Sequence, residues 1–251
     1  PPPPPSLCVP TPAPQPGAVD FYSLYAQTLW EAWGQTRDVV VHGHASHSSA
    51  SASQQRGRLF TLDDQVRHHT RFVRALLTPA EFPWQPSPTA NCRRRVILAG
   101  HSIGAHICME VMHGLEVEFG VEDDRLVGAM LLFPTFSFIG STPNGVYAGV
   151  CIRLSPVLAH LQPAARAVVS ALAHLPPPIK AAVGRLAVGR DSWDSQPHVR
   201  SSVDALLDAD VVANALFMGD REMKQVLRPR TAWMKDNQHR LAFVYGAKDD
   251  W

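Results

Sequence analysis

An α/β fold with a mostly parallel sheet is predicted from three observations. Short apolar runs alternate with helical patterns from residue 7 to 133, an order that implies parallel strands wrapped by helices on both faces. The run Val96 to Ala99 ends directly on Gly100-His101-Ser102-Ile103-Gly104, and a helical pattern with Ile107, Val111 and Leu115 at four-residue spacing follows at once. A last apolar run, Leu241 to Tyr245, leads into the acids Asp249 and Asp250.

The chain's 251 residues are 45% hydrophobic and 18% charged, which predicts one globular domain with ample material for a core. A net charge of +1 gives no electrostatic case for nucleic acid. The cysteines Cys8, Cys92, Cys108 and Cys151 show no paired spacing, which argues against a disulfide scaffold or zinc knuckle and favours a reducing compartment. No 18-residue apolar run free of charge occurs, so a spanning helix is not expected. The absence of an initiating Met and the stop at Trp251 predict a piece of a longer protein.

Each element has a local reason. Leu7-Cys8-Val9 reads as a short strand in a proline-dense segment, and prolines confine strands to edges. Asp20 is the expected N-cap of a helix to about Trp33, with Phe21, Leu24, Tyr25, Thr28 and Leu29 on one face. Asp38 to His42 reads as a buried strand, and Gly43 to Gly57 as a Ser/His-rich loop. Thr61 caps a helix to about Leu77 whose inner stripe is Leu62, Val66, His69, Val73 and Leu76. Leu126 to Phe133 is an apolar strand stopped by Pro134. The expected organisation is residues 1–134 as the N-terminal part of the core, 135–238 as a helical cap or lid insert, and 239–251 as a core strand with its acid loop. The insert carries helical pieces broken by Pro156, Pro163 and Pro176-Pro177-Pro178, then a better helix from Val203 through Leu227.

Strand, Gly-x-Ser-x-Gly, helix is the nucleophile elbow of an α/β-hydrolase. The turn is sharp and strained, so side chains flanking Ser102 would collide with nearby backbone. Ser102 is the candidate nucleophile, and the backbone N–H of Ile103 the first oxyanion donor, at a helix N-terminus that favours negative charge. Chain order in this fold is Ser, acid, His. Asp249 is the candidate acid, because three residues after Gly246 it can curl back over the strand end. No histidine follows it, so the base is expected beyond Trp251. His101 adjoins the nucleophile but points elsewhere by elbow geometry. The mechanism expected is two-step ester hydrolysis through an acyl-Ser102 intermediate, with no metal or organic cofactor.

A zinc hydrolase is the rival. His42-Gly43-His44-Ala45-Ser46-His47 followed by Gly100-His101-Ser102 is similar to the metallo-β-lactamase pattern, with His42, His44, His47 and His101 as ligands. Ser46 stands where the second metal needs an Asp, and alternating β/α units are not a β-sandwich.

Ordered segments across most of the chain carry a more specific resemblance. They are Pro16-Gly-Ala-Val-Asp-Phe-Tyr22, Leu62-Asp-Asp-Gln-Val-Arg-His68, Gly100-His-Ser-Ile-Gly-Ala-His-Ile-Cys-Met-Glu-Val111, Leu131-Leu-Phe-Pro-Thr135, Ser141-Thr-Pro-Asn-Gly145, Ala213-Asn-Ala-Leu-Phe-Met-Gly-Asp-Arg-Glu-Met223 and Phe243-Val-Tyr-Gly-Ala-Lys-Asp249. With them the chain resembles the lipid droplet-associated hydrolases, serine enzymes of the α/β-hydrolase superfamily. The resemblance implies a lipid ester hydrolase, acting on sterol esters or related lipids at the cytosolic face of lipid droplets or the endoplasmic reticulum. It places the nucleophile on Ser102, the acid on Asp249 and the base on a downstream histidine. The family's glycine-rich oxyanion turn becomes Pro12-Ala-Pro-Gln-Pro-Gly17, where Pro14 and Pro16 lack an N–H and Gln15 has to donate. That departure and the missing base motivate an alternative: a catalytically weak or inactive droplet-associated protein on a hydrolase shell.

The insert lies where lipases carry lids. Residues 154–175 hold one formal charge, Arg166, among apolar side chains such as Val157, Leu158, Leu161, Val168 and Leu172. Core packing and peripheral contact with a phospholipid monolayer are both open readings of this segment. No Asp or Glu occurs between Asp124 and Asp191, while Arg153, Arg166, Lys180, Arg185 and Arg190 would suit anionic headgroups.

Overall fold

The computed structural model describes residues 6–10, 19–48, 55–78, 95–121, 123–142, 146, 171–172, 174–195, 200 and 208–247. Among the described residues five strands form one parallel sheet: β1 (Ser6–Pro10), β2 (Val39–His42), β3 (Val96–His101), β4 (Leu126–Leu132) and β5 (Leu241–Val244), in the order β2-β1-β3-β4-β5. The helices are α1 (Ser23–Ala32), α2 (Leu62–Leu77), α3 (Ile103–Phe119), α4 (Pro177–Val188), α5 (Arg190–Ser195), α6 (Ala209–Gln225) and α7 (Thr231–Asp236).

Side chains alternate along β3, and this sorts the two faces. Val96 and Leu98 join a core with α2 and α3, built on Leu76, Leu77, Ile103, Ile107, Met112, Leu115 and Leu131. Ala99 faces the other way, with Ile97 beside it, and meets Tyr25, Leu29 and Trp33 of the α1 segment. The α/β-hydrolase fold is therefore built as its alternating pattern predicts, with a parallel sheet between helical layers.

The N-terminal strand departs from expectation. It is not an edge: β1 lies between β2 and β3, pairing Leu7 with Val39 on one side and with Ile97 on the other. Its run Ser6-Leu7-Cys8-Val9 is free of proline, and Pro10 only ends it, so the ladder loses no interior donor. Residues Val19–Tyr22 form a tight 3-10 turn before α1, so Asp20 sits in that turn instead of capping the helix. Leu24 and Thr28 face solvent, and the inner stripe is Tyr25, Leu29 and Trp33. β2 is half-buried, since the described sheet ends on it.

Start signals at α2 are as expected. The Thr61 hydroxyl accepts from the Asp64 N–H at 3.1 Å, and Asp64 accepts from the Thr61 N–H at 2.9 Å, a reciprocal capping box. In the insert, Pro177 opens α4 at a position where a missing N–H costs nothing. The helix expected over 203–227 is observed as α6, capped by Asp208; residues 201–207 lie outside the described residues. α6 is packed, not free: Val211 and Met218 are buried, and Asn214 bonds the backbone of Arg58 and Phe60. Residues 154–170 also lie outside the described residues. Among the described residues no helix is long and apolar enough to cross a membrane.

Candidate active site

The site is built at the C-terminal edge of the sheet, where β3 turns into α3. Ser102 is the single residue between them and takes φ 56°, ψ −124°. This is a left-handed-side conformation that an L-residue holds only when its surroundings force it. Those surroundings are identifiable. A Cβ on Gly100 would lie 2.2 Å from the carbonyl oxygen of Gly104, so the strand end touches helix backbone and only glycine fits. The Ser102 N–H donates to the Leu132 carbonyl at 2.9 Å, and its own carbonyl accepts from Thr135 N–H at 3.2 Å and Ala105 N–H at 3.0 Å. The Ser102 Oγ lies 3.3 Å from the Thr135 hydroxyl, its hydrogen-bond partner among the described residues.

Ile103 is the first residue of α3 and is buried, so its N–H stands at the helix start, outside the i to i−4 ladder. A free N–H at a helix start is the kind of donor that a developing negative charge requires.

His101 does not serve Ser102. Its Nδ1 lies 3.4 Å from the buried Tyr22 hydroxyl, and its ring is tilted against Phe133 at 5.6 Å between centroids. Burial holds its imidazole below the ordinary value, and burial likewise pushes the Tyr22 phenol up. Neither Tyr22 nor Thr135 stands out in sequence by spacing. The one signal for Thr135 was that Phe133-Pro134-Thr135 follows the strand next after the elbow.

The register aligns the flanks. His101 pairs with Leu132, and Leu132 with Val244, so the ends of β3, β4 and β5 stand in one row. Chain leaving β5 therefore starts at the same end of the sheet as the Ser102 turn, two strands along. On the other side β1 ends at Pro10, two residues past the Cys8–Leu98 pair. Asp249 and Gln15, the expected acid and second oxyanion donor, themselves lie outside the described residues.

The histidines proposed for zinc are arranged differently. His42 ends β2, two strands away from β3, or about 10 Å at ordinary strand spacing. His42 Nδ1 is 3.0 Å from His69 Nδ1, and His44 Nδ1 is 3.0 Å from His69 Nε2. A neutral His69 satisfies both by donating through one nitrogen and accepting through the other. His42 also stacks on Phe72 and His68. His47 Nδ1 bonds the Ala45 carbonyl at 3.0 Å, and Gln65 pins the same loop through Ala45 N–H and carbonyl. Burial, reinforced by the His68 imidazole, lowers His42 to about 3, and burial lowers His47 to about 4. The rings hold one another instead of converging on a point with His101. Among the described residues no group of three or more His, Cys, Asp or Glu is placed to hold a metal ion.

Comparison with known proteins places the chain in a family. The sequence pattern of the family described as "Lipid-droplet associated hydrolase" matches residues 13–251. A lipid droplet-associated hydrolase of Gallus gallus is 25% identical over 245 residues, covering 94% of this chain and 68% of that protein. Its Homo sapiens counterpart is 24% identical over 248 residues, with the same shares. Among solved structures, RedJ with a PEG molecule bound in its active site overlays with a TM-score of 0.45 at 13% identity, covering 97% of this chain and 83% of that one. The fold assignment rests on the sheet order and the Ser102 turn, not on that overlay. With the family pattern spanning nearly its whole length, the chain belongs to the lipid-droplet associated hydrolase family.

Proposed function

We propose that the chain is a serine hydrolase of lipid esters, sterol esters or their relatives, working at the surface of lipid droplets or the cytosolic face of the endoplasmic reticulum. The observation that carries the reading is the forced backbone of Ser102 between β3 and α3. A structural turn could use glycine there at no cost; holding serine in that conformation lifts its hydroxyl above the sheet edge. The lipid and the droplet come from the names of the relatives.

In the proposed cycle Ser102 Oγ attacks the ester carbonyl while a histidine takes its proton. The Ile103 N–H, with Gln15 as second donor, receives the oxyanion. The carbonyl–alkoxy bond breaks, the alcohol leaves with the proton from the imidazole, and acyl-Ser102 remains. Water then attacks the acyl group, the histidine again carries the proton, and the acid departs as Ser102 regains its hydrogen. Asp249 orients the histidine, the downstream base that the family resemblance implies. The alignment of Val244 with Leu132 and His101 supports this reading of Asp249, since the segment that carries it starts at the right edge.

Peripheral contact with a lipid monolayer belongs to the same proposal. On α4, Ile179, Val183 and Leu186 share one face and are exposed, Leu186 at 89%. Phe138 and Val146, downstream of the site, are exposed as well. Lys180 adds a cation, whereas Arg185 and Arg190 are paired with Asp194. The prolines of the altered oxyanion turn favour one other reading, a droplet-bound protein without turnover.

The test is hydrolysis of an emulsified sterol ester by the full-length protein and its Ser102→Ala variant. Turnover lost in the variant is expected. Turnover equal in both refutes the nucleophile, and no turnover in either favours the binding protein.

A further inference from the structure

We infer that Thr135 is the positioning residue for the nucleophile: its hydroxyl, delivered by the turn after β4, holds the Ser102 Oγ in the direction from which it attacks. The inference rests on the proposed role of Ser102 and deepens it. Three hydrogen bonds join the two segments. Ser102 N–H donates to Leu132 O at 2.9 Å, Thr135 N–H donates to Ser102 O at 3.2 Å, and the two hydroxyls lie 3.3 Å apart. The strand end of β4 thus grips the elbow residue by its N–H, its carbonyl and its side chain.

The turn that makes this grip is itself forced. Phe133 has φ 44°, a left-handed value that a bulky aromatic seldom takes, and it precedes Pro134, whose ring further limits Phe133. Its N–H is held by the Val244 carbonyl at 2.8 Å. Phe133 and Ser102, both with positive φ, therefore follow adjacent strands at one level. Strain kept at two facing residues is strain with a purpose, since a relaxed turn would carry Thr135 away from the site. Threonine suits this role because branching at Cβ stiffens χ1, so backbone held by Ser102 fixes where the hydroxyl points.

In chemical terms the Thr135 O–H donates to a lone pair of Oγ, leaving the Ser102 proton turned toward the base. The same bond remains available when Oγ is the leaving oxygen of the acyl intermediate. Thr135 touches no substrate in this scheme, so its removal alters kcat and spares KM.

The test uses the full-length protein with Thr135→Val, which keeps shape and removes the hydroxyl, and Thr135→Ser, which keeps the hydroxyl. Two readouts are taken: kcat and KM for ester hydrolysis, and the second-order rate of labelling by a fluorophosphonate. In that labelling an Oγ–P bond forms, the P–F bond breaks, fluoride leaves and the hydroxyl proton passes to the base. Thr135→Val should slow both by about tenfold, as for loss of one neutral hydrogen bond, with KM unchanged. Thr135→Ser should recover most of the rate. Wild-type rates in Thr135→Val overturn the inference, as do equal losses in Val and Ser, which would mean that the methyl packs and the hydroxyl is idle. If Thr135→Val does not fold, Thr135→Ala is read against Thr135→Ser by the same criteria. Labelling that persists in Ser102→Ala sinks the nucleophile itself. Labelling lost there but normal in Thr135→Val sinks only the role of Thr135.

Discussion

Acidification from about pH 7.5 to about 5.5 should destabilise the fold through the imidazoles between β2 and α2. An unfolded histidine titrates near 6.5, whereas folded His42 titrates at about 3 and His47 at about 4. Between those values the unfolded chain binds protons that the folded chain refuses. Stability is thus complete above the unfolded value and falls as pH drops towards the folded ones. One pH unit below the unfolded value, each such ring costs about 1.4 kcal/mol, so these two cost about 3 kcal/mol together. His44 and His69, both fully buried and held well below the ordinary value by that burial, act in the same direction. For a domain of this size the two rings alone should lower Tm by about 6–12 °C. Asp64 and Glu110 do not confuse the reading, because their carboxyls are held low and titrate beneath this window. Thermal melting by circular dichroism across the pH range measures the effect. A His42→Phe variant keeps the stack on Phe72 and removes one titrating group, so its acid loss should be smaller by about 1.4 kcal/mol. A flat Tm across the window, or an unchanged acid loss in His42→Phe, would mean that these rings do not set the acid sensitivity of the fold.

Two further substitutions test the scaffold of the site. Gly100→Ala places a methyl 2.2 Å from the Gly104 carbonyl, which no rotamer can relieve, and should lower stability by about 1–3 kcal/mol in denaturant titration. Glu116 is buried at the C-terminal end of α3, pairs with Arg240 and accepts from Trp233 Nε1 at 2.6 Å. Glu116→Ala strands the Arg240 charge and should cost about 3–5 kcal/mol, a loss that Glu116→Ala with Arg240→Met should largely recover.

Much of the fold was legible because local pattern and tertiary demand coincide. The run before Ser102 is buried on both faces, and such strands read as unbroken apolar sequence. Thr61 with Asp64 is a helix start that needs no partner elsewhere. Legibility failed where distant chain decides. The Pro-rich flanks of β1 suggested an edge, yet pairing with Val39 and Ile97 makes the strand internal. His42, His44 and His47 looked like ligands in a line because the partner of the first two, His69, lies 27 and 25 residues away from them. Thr135 was visible only as a family segment, since its bond to Ser102 spans 33 residues and exists only once β3 and β4 are paired.

In the proposed mechanism Ser102 is a nucleophile and not merely a strained turn residue. The most direct measurement is active-site mapping: full-length protein is treated with a fluorophosphonate, digested, and the adduct located by mass spectrometry. A single phosphonylated residue, Ser102, is expected, with no adduct in Ser102→Ala. An unlabelled Ser102 in folded protein that hydrolyses lipid ester would contradict that mechanism.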